Sequence, residues 1–192
     1  MEAPTDKATL LAALAHGRAE WEALLARVDP AALTIPGVEG SWSVCDILAH
    51  VTPYEAYAAA HASDLRQHGR IAADEVAALD AYYNGRLAIY RQEHPELPDD
   101  VEQLASDQLN ALFVADYAGR APAEALTLGR AAYDALYAAV EQLDEAALAV
   151  PHTIFNDRSL VVMLPFQSYR HYQKHAEAIE RWLAARAADE HQ

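Results

Sequence analysis

Apolar side chains recur at helical spacing along most of this chain, and prolines and glycines separate the resulting segments. The first segment covers residues 5–28, and its apolar positions follow a helical period: Leu10, Leu14, Trp21, Leu24 and Leu25. Asp29 and Pro30 end it, because a residue before proline disfavours the helical conformation. This pattern predicts an α-helix that buries one face.

Five further segments have the same character, at residues 41–68, 72–93, 99–117, 122–143 and 166–186. Glycine is scarce, at 7 residues, and β-branched runs are few, which favours helix over sheet. The one β-like run is Ser159-Leu-Val-Val-Met163, in a long connection over residues 144–164. The chain is therefore predicted to be all-α, a four-helix bundle with extra helical segments in a single domain over residues 1–192.

Charge and cysteine content restrict the partners and the location. The 29 acidic and 14 basic residues give a formal net charge of −15. Such a surface repels nucleic acid phosphates and anionic membranes, so we expect neither as a partner. The single cysteine, Cys45, cannot form an internal disulfide, and the N-terminus lacks the layout of a secretory signal. These features predict a cytoplasmic protein.

Two histidines lie four residues apart in His171-Tyr-Gln-Lys-His175, inside the last predicted helix. At that spacing both imidazoles lie on one helix face, where they can share a metal ion. Ala178 and Trp182 continue the same stripe, which indicates that it faces inward, where imidazole needs a polar partner. Two ligands do not complete a metal site, and a surface or hydrogen-bonded pair is the commoner interpretation of this spacing alone.

The best third ligand is His50, which shares an inward stripe with Ile47 and Tyr54 in the second predicted helix. If this helix faces the last one, three histidines meet and leave open positions for water or substrate, as in catalytic metal sites. The alternative is a hydrogen-bonded core histidine. Tyr54 either lines the pocket or serves only as packing.

Two other residues are excluded as metal ligands. Cys45 lies near the start of the second predicted helix, where the helix dipole lowers a thiol pKa. It points to a different face from His50, however, which favours a small buried hydrophobic residue. His61 shares the stripe of His50 but lies about 16 Å farther along the helix, too far to bind the same ion.

The segment Gly40-Ser-Trp-Ser-Val-Cys-Asp-Ile-Leu-Ala-His50 resembles a known signature. It is similar to the W-S-x-x-D-x-L-x-H motif near the start of the second helix in the DinB/YfiT-like superfamily. The segment from His171 to Ile179 resembles the H-x-x-x-H motif on the last helix of that superfamily. The two motifs stand about 120 residues apart in the expected order, so the resemblance covers nearly the whole chain.

The resemblance implies an up-down-down-up four-helix bundle, often a homodimer, that holds a divalent metal, commonly nickel or zinc. Carried over by position, the metal ligands are His50, His171 and His175. The superfamily includes thiol-dependent S-transferases and isomerases, such as bacillithiol transferases and mycothiol-dependent maleylpyruvate isomerase. The resemblance therefore implies a metal-dependent transferase that joins a low-molecular-weight thiol to a small electrophilic substrate. A non-enzymatic metal-binding stress-response bundle and a metal-dependent hydrolase stay open, because all three would use the same ligands.

Overall fold

The structure is a computed structural model that describes residues 3–71 and 74–189. Its helices are α1 (Lys7–Leu25), α2 (Val44–His68), α3 (Asp74–Tyr90), α4 (Ser106–Tyr117), α5 (Pro122–Gln142), α6 (Glu145–Ala149), α7 (Leu160–Gln167) and α8 (Tyr169–Asp189). Two short strands, β1 (Pro151–His152) and β2 (Arg158–Ser159), form an antiparallel pair. The long helices α1, α2, α5 and α8 form the bundle, so the predicted all-α fold is confirmed.

Contacts along α1 fix the direction of α5. At the start of α1, the Lys7 ammonium donates to the carbonyl of Glu141, 2.9 Å away at the end of α5. Farther along α1, the Arg18 guanidinium donates to the carbonyl of Gly129, 3.2 Å away in the first half of α5. The two helices are therefore antiparallel.

The last helix runs parallel to α1. Gly17 packs against Tyr169 at the start of α8, and a Cβ on that glycine would lie 2.2 Å from the Tyr169 Cβ. Beyond the end of α1, Arg27 forms an ion pair with Glu180, 3.5 Å away in the middle of α8. The absence of a side chain at position 17 thus permits α1 and α8 to approach closely.

The second helix runs antiparallel to both α1 and α8. His50 near the start of α2 lies against His175, with ring centroids 5.1 Å apart, whereas Glu55 farther along α2 accepts a hydrogen bond from the earlier Tyr172. Since α5 is also antiparallel to α1, the bundle has the up-down-down-up topology, as the resemblance implied.

A buried guanidinium joins all four bundle helices. Arg18 of α1 donates to the Gly129 carbonyl of α5 and to the Tyr172 hydroxyl of α8, 3.3 Å away, and lies 3.8 Å from the Glu55 carboxylate of α2. Tyr172 in turn donates its hydroxyl to Glu55. Burial raises the pKa of Glu55 to about 7, although Tyr172 and Arg18 oppose that shift. Buried polar groups of this kind hold their partners in place, because an unpaired member is costly.

Local residues define both ends of α2, which lies within the helical segment predicted at residues 41–68. The Ser43 hydroxyl accepts the backbone N–H of Asp46, and the Asp46 carboxylate accepts the backbone N–H of Ser43, which forms a capping box. Gly69 ends the helix in the left-handed region, at φ 67°. The helix continues through Pro53, so His50 and the residues that follow it belong to one rigid element.

Three predictions about local structure were wrong. The β-like run from Ser159 to Met163 is mostly helical, since α7 begins at Leu160 and includes Pro165. The helix predicted from residue 166 begins instead at Tyr169, because Ser168 has a non-helical backbone conformation that separates α7 from α8. The segment at 99–117 is a short 3₁₀ turn, Val101–Gln103, followed by α4. A short apolar run does not distinguish a strand from a buried helix. The predicted start of the third helix, residues 72–73, lies outside the described residues.

The intervening helices α3 and α4 pack on α2 and form a second, smaller core. Its buried members are Tyr83, Leu87, Leu97, Val101, Leu112 and Phe113, with Tyr54 and Tyr57 of α2 packed against them. Helix α2 therefore packs against the bundle on one side and against this added layer, formed by α3 and α4, on another. Over the described residues, no helix is long and apolar enough to cross a membrane.

We predict that Gly17→Ala destabilises the fold, because its Cβ would overlap Tyr169 and force α1 and α8 apart. Overpacking of this kind costs about 1–3 kcal/mol in the free energy of unfolding. The matched control is Gly85→Ala in α3, where an added Cβ meets no atom within 4 Å. That change should stabilise the protein by about 0.5–1 kcal/mol. Denaturant unfolding measures both, and equal effects of the two changes would contradict the close approach of α1 and α8.

Candidate metal centre

Three buried histidines from two bundle helices meet at one point. His50 of α2 and His171 and His175 of α8 are only 6–7% exposed. Each offers a ring nitrogen within 4.8 Å of those of the other two. The Nε2 atoms of His50 and His171 are 2.8 Å apart. The structure thus brings together the three residues that the sequence singled out, and no other histidine, cysteine and carboxylate group of this kind occurs in the described residues.

The first turn of α8 is anchored on both sides of His171. The Ser168 carbonyl accepts the backbone N–H of His171 at 2.8 Å and that of Tyr172 at 3.1 Å, which starts the helix after the non-helical Ser168. The Tyr172 ring stacks on Trp21 of α1, with ring centroids 5.1 Å apart and planes 7° from parallel. These contacts fix the position of His171 without using its imidazole.

Burial keeps two of the imidazoles neutral. Desolvation, followed by repulsion from the neighbouring His175, lowers the pKa of His50 to about 4. Desolvation and repulsion from His50 lower the pKa of His171 to about 3. A neutral imidazole has one ring nitrogen with a free lone pair, and that is the form that binds a metal.

Each histidine also has a buried ring nitrogen without a hydrogen-bond partner in the described part of the chain. These atoms are Nδ1 of His50, Nδ1 of His171 and Nε2 of His175. Buried polar atoms in native proteins are rarely unpartnered, and a metal ion is a partner that neutral imidazole accepts. Imidazole ligands suit nickel and zinc, and three of them leave coordination positions open. The residues present therefore fit a divalent metal of this kind.

Glu39 completes the arrangement and was missed from the sequence. Its carboxylate Oε2 lies 2.7 Å from Nδ1 of His175 and accepts a hydrogen bond from it. The lone pair of a neutral His175 is then on Nε2, where it is available to a metal ion. A carboxylate that holds the second nitrogen of a ligand histidine is common in metal sites. The sequence carries no signal for this contact, because Glu39 belongs to a predicted loop far from His175 in the chain.

A tight turn places Glu39. Its backbone pairs with that of Trp42, and Gly40 between them has a left-handed backbone conformation at φ 59°, which favours glycine. The turn leads directly into the capping box of α2. Glu39 and His50 are therefore positioned by one continuous structure, the turn and the helix start that follows it.

Two aromatic rings enclose the triad. The Trp42 ring lies 5.1 Å from that of His50 and 6.4 Å from that of His175, measured between centroids. Tyr54 packs its ring edge-on against His50 and His171, at 5.4 and 5.0 Å, and donates its hydroxyl to Asn110. Tyr54 therefore serves as packing and as a wall of the site at once, so the two interpretations of this residue do not exclude each other.

The two residues that were excluded as metal ligands, Cys45 and His61, lie outside the histidine triad. Cys45 packs against the hydrophobic core of the four-helix bundle, and burial raises the pKa of its thiol. It is not part of the histidine group. His61 is buried next to Phe155, with ring centroids 5.0 Å apart, and is also separate from the triad.

Comparisons with known proteins agree with this fold. The sequence model of the DinB superfamily matches residues 13–179. ClbS, a colibactin self-resistance protein crystallised in complex with double-stranded DNA, superimposes with a TM-score of 0.68 at 16% identity, over 94% of this chain and 96% of that one. An uncharacterised protein from Escherichia coli UTI89 gives 0.66 at 14% identity, over 96% of both chains. No curated protein sequence matches this chain.

The exclusion of nucleic acid as a partner was wrong. It rested on the net charge of −15, yet ClbS, which has the same fold, is crystallised in complex with double-stranded DNA. Net charge describes the whole surface, whereas binding depends on the local charge where the partner makes contact.

We predict that Glu39→Gln weakens metal binding at the triad, because the amide is a poorer acceptor for the His175 N–H. Loss of such an outer partner typically costs roughly 10–100-fold in affinity. The matched control is Glu20→Gln, which alters an exposed pair with His16 on α1. Competition titrations with nickel and zinc measure both variants. An unchanged affinity for Glu39→Gln would show that this contact does not support a metal ligand.

Proposed function

The chain belongs to the DinB superfamily, and we propose that it is a divalent-metal-binding protein with His50, His171 and His175 as the ligands. The observation that carries the proposal is the buried group of three imidazoles, each of which offers a ring nitrogen within 4.8 Å of those of the other two. Nickel and zinc are the proposed ions. Without an ion, the Glu39–His175 hydrogen bond and the contact between His50 and His171 offset only part of the cost of burying three polar rings, because each ring keeps one nitrogen unpartnered in the described residues.

We propose that the centre serves a transferase that joins a small thiol to an electrophilic substrate. A divalent metal lowers the pKa of a bound thiol or water and so supplies a nucleophile at neutral pH. In the protein, Glu39 orients His175, while Trp42 and Tyr54 shield the histidines from bulk water. Burial keeps His50 and His171 neutral and able to bind.

The metal-dependent hydrolase and the non-enzymatic stress-response protein are the alternatives. A hydrolase would consume water in place of the thiol, and a stress-response protein would bind metal without turnover. A single domain over residues 1–192, a cytoplasmic location and a homodimer are also parts of the proposal. They rest on the composition and on the resemblance to the family.

We predict that His171→Ala abolishes both metal content and turnover. The untagged protein is purified and its nickel, zinc and manganese are measured, and the same samples are assayed with a model electrophile and a panel of bacillithiol, mycothiol, glutathione and cysteine. The control is His16→Ala, which removes an exposed histidine of α1 and should change neither quantity.

The outcomes separate the alternatives. Thiol-dependent turnover that disappears with the metal supports the transferase, while turnover without added thiol supports the hydrolase. Metal content with background rates throughout supports the non-enzymatic protein. A metal-free protein that takes up none of these ions contradicts the proposed centre, and unchanged metal content in His171→Ala contradicts the ligand assignment.

A second candidate partner is double-stranded DNA, which we propose on the basis of ClbS. Arg170 and Lys174 lie one turn apart on α8 beside the triad, and neither forms an ion pair within the part of the chain that the structure describes. Two such cations on one helix face are able to contact phosphates.

We predict that Arg170→Gln and Lys174→Gln each weaken binding of a fluorescently labelled duplex and reduce its salt dependence by about one charge. Arg181→Gln is the control, because Arg181 is exposed on the same helix and already pairs with Glu177. Fluorescence anisotropy at several salt concentrations measures the three variants. The DNA proposal fails if the unaltered protein shows no binding at low salt.

A further inference from the structure

A cavity lies on the face of α2 that carries His50. It has a volume of about 280 Å³ and is lined by Tyr57, His61, Val76, Ala77, Asp80, Glu102 and Ile154. Tyr57 and His61 follow His50 by seven and eleven residues, which places them on the same side of the helix, about 10 and 16 Å along its axis. The cavity and the histidine triad therefore share one face of α2.

The cavity carries negative charge that the protein does not neutralise. Asp80 and Glu102 form no ion pair with any described residue, and no lysine or arginine lines the cavity. Tyr57 donates its hydroxyl to Asp80 Oδ1 at 2.9 Å. Burial raises the pKa of Tyr57, and the hydrogen bond to Asp80 and the charge of Glu102 add to the effect. Both carboxylates therefore act on the same phenol.

His61 provides an observation independent of the carboxylates. It lines the cavity, is only 6% exposed, and its Nδ1 has no hydrogen-bond partner among the described residues. Desolvation lowers the pKa of His61 to about 4, so the ring is neutral and does not repel a cation. A neutral imidazole also accepts one hydrogen bond, and buried ring nitrogens seldom stay unpartnered in native proteins.

We propose that this cavity binds the primary ammonium group of a small organic molecule. Asp80 and Glu102 supply the opposite charge, and charge-assisted hydrogen bonds to an ammonium are the strong ones. Val76 and Ile154 of the lining contact the apolar part of the ligand. A metal ion is not the proposed occupant, since these side chains do not form a ligand group within the described residues.

The position of the cavity suggests its use, and this step rests on the proposed function of the triad. To reach the metal centre, a substrate that places its ammonium between Asp80 and Glu102 has to pass Tyr54, which lies between the cavity and His50 on α2. The cavity then selects electrophiles that carry an amino group roughly 10–16 Å from the metal centre, as the rise of the helix sets that distance. Asp80 and Glu102 are specificity-determining residues in this account.

The test is an NMR titration of the full chain with three probes of equal size and different charge: n-butylammonium, 1-butanol and butyrate. We expect saturable binding of n-butylammonium alone. Asp80→Asn and Glu102→Gln should each weaken it about tenfold or more, because each removes a charge-assisted contact. Glu141→Gln is the control, an exposed carboxylate on α5 outside the cavity, and should leave the affinity unchanged.

The same titration is run on His171→Ala. Retained n-butylammonium binding in that variant supports the cavity site even if the metal centre fails its own test. Equal binding of 1-butanol or butyrate, no saturable binding of n-butylammonium, or an unchanged affinity in Glu102→Gln would each overturn the proposal. Glu102 is exposed, so we expect Glu102→Gln to leave the packing of the core intact. This variant therefore decides the question if Asp80→Asn does not fold.

Discussion

The buried contact of Arg18 with Glu55, Tyr172 and the Gly129 carbonyl is the interaction on which the bundle geometry depends. It joins α1, α2, α5 and α8 through one guanidinium. Tyr172 is adjacent in sequence to His171, and Glu55 lies little more than one turn beyond His50 on α2. The network therefore fixes the axial position of α2 relative to α8, and with it the place where the three histidines lie together. Because a buried charge without its partners is costly, only one registration of these helices satisfies all of them.

Sequence patterns predicted the parts of the fold that local chemistry determines. The capping box of Ser43 and Asp46 and the left-handed Gly69 set the ends of α2, and inward stripes identified His50 and His171 as residues that could meet. Other features depend on distant partners. Glu39 reaches His175 through a tertiary contact, and the apolar run after Ser159 becomes helix α7 because short apolar runs suit either structure. The single-domain extent stays a prediction.

One face of α2 links the two proposed sites. The triad lies near its start, where the turn at Glu39 and the capping box hold His50, and the acidic cavity at Tyr57 and His61 lies two to three turns farther along. Between them, Tyr54 contacts both His50 and Phe113 of the added layer. Asp80 of α3 and Glu102 of the 3₁₀ turn Val101–Gln103 thus supply the carboxylates, while the proposed metal ligands come from the bundle helices α2 and α8. Under the two proposals, the bundle helices provide the reaction chemistry and the added layer contributes to substrate selection.

The most direct test of this account is a crystal structure of the untagged protein grown with nickel or zinc, with anomalous data collected at the absorption edge of the metal. The account predicts one peak between α2 and α8, at about 2.0–2.1 Å from a ring nitrogen of each of His50, His171 and His175, the usual distance for a histidine ligand. No peak at the triad, or a peak that one of these three histidines does not touch, would contradict the proposed metal centre.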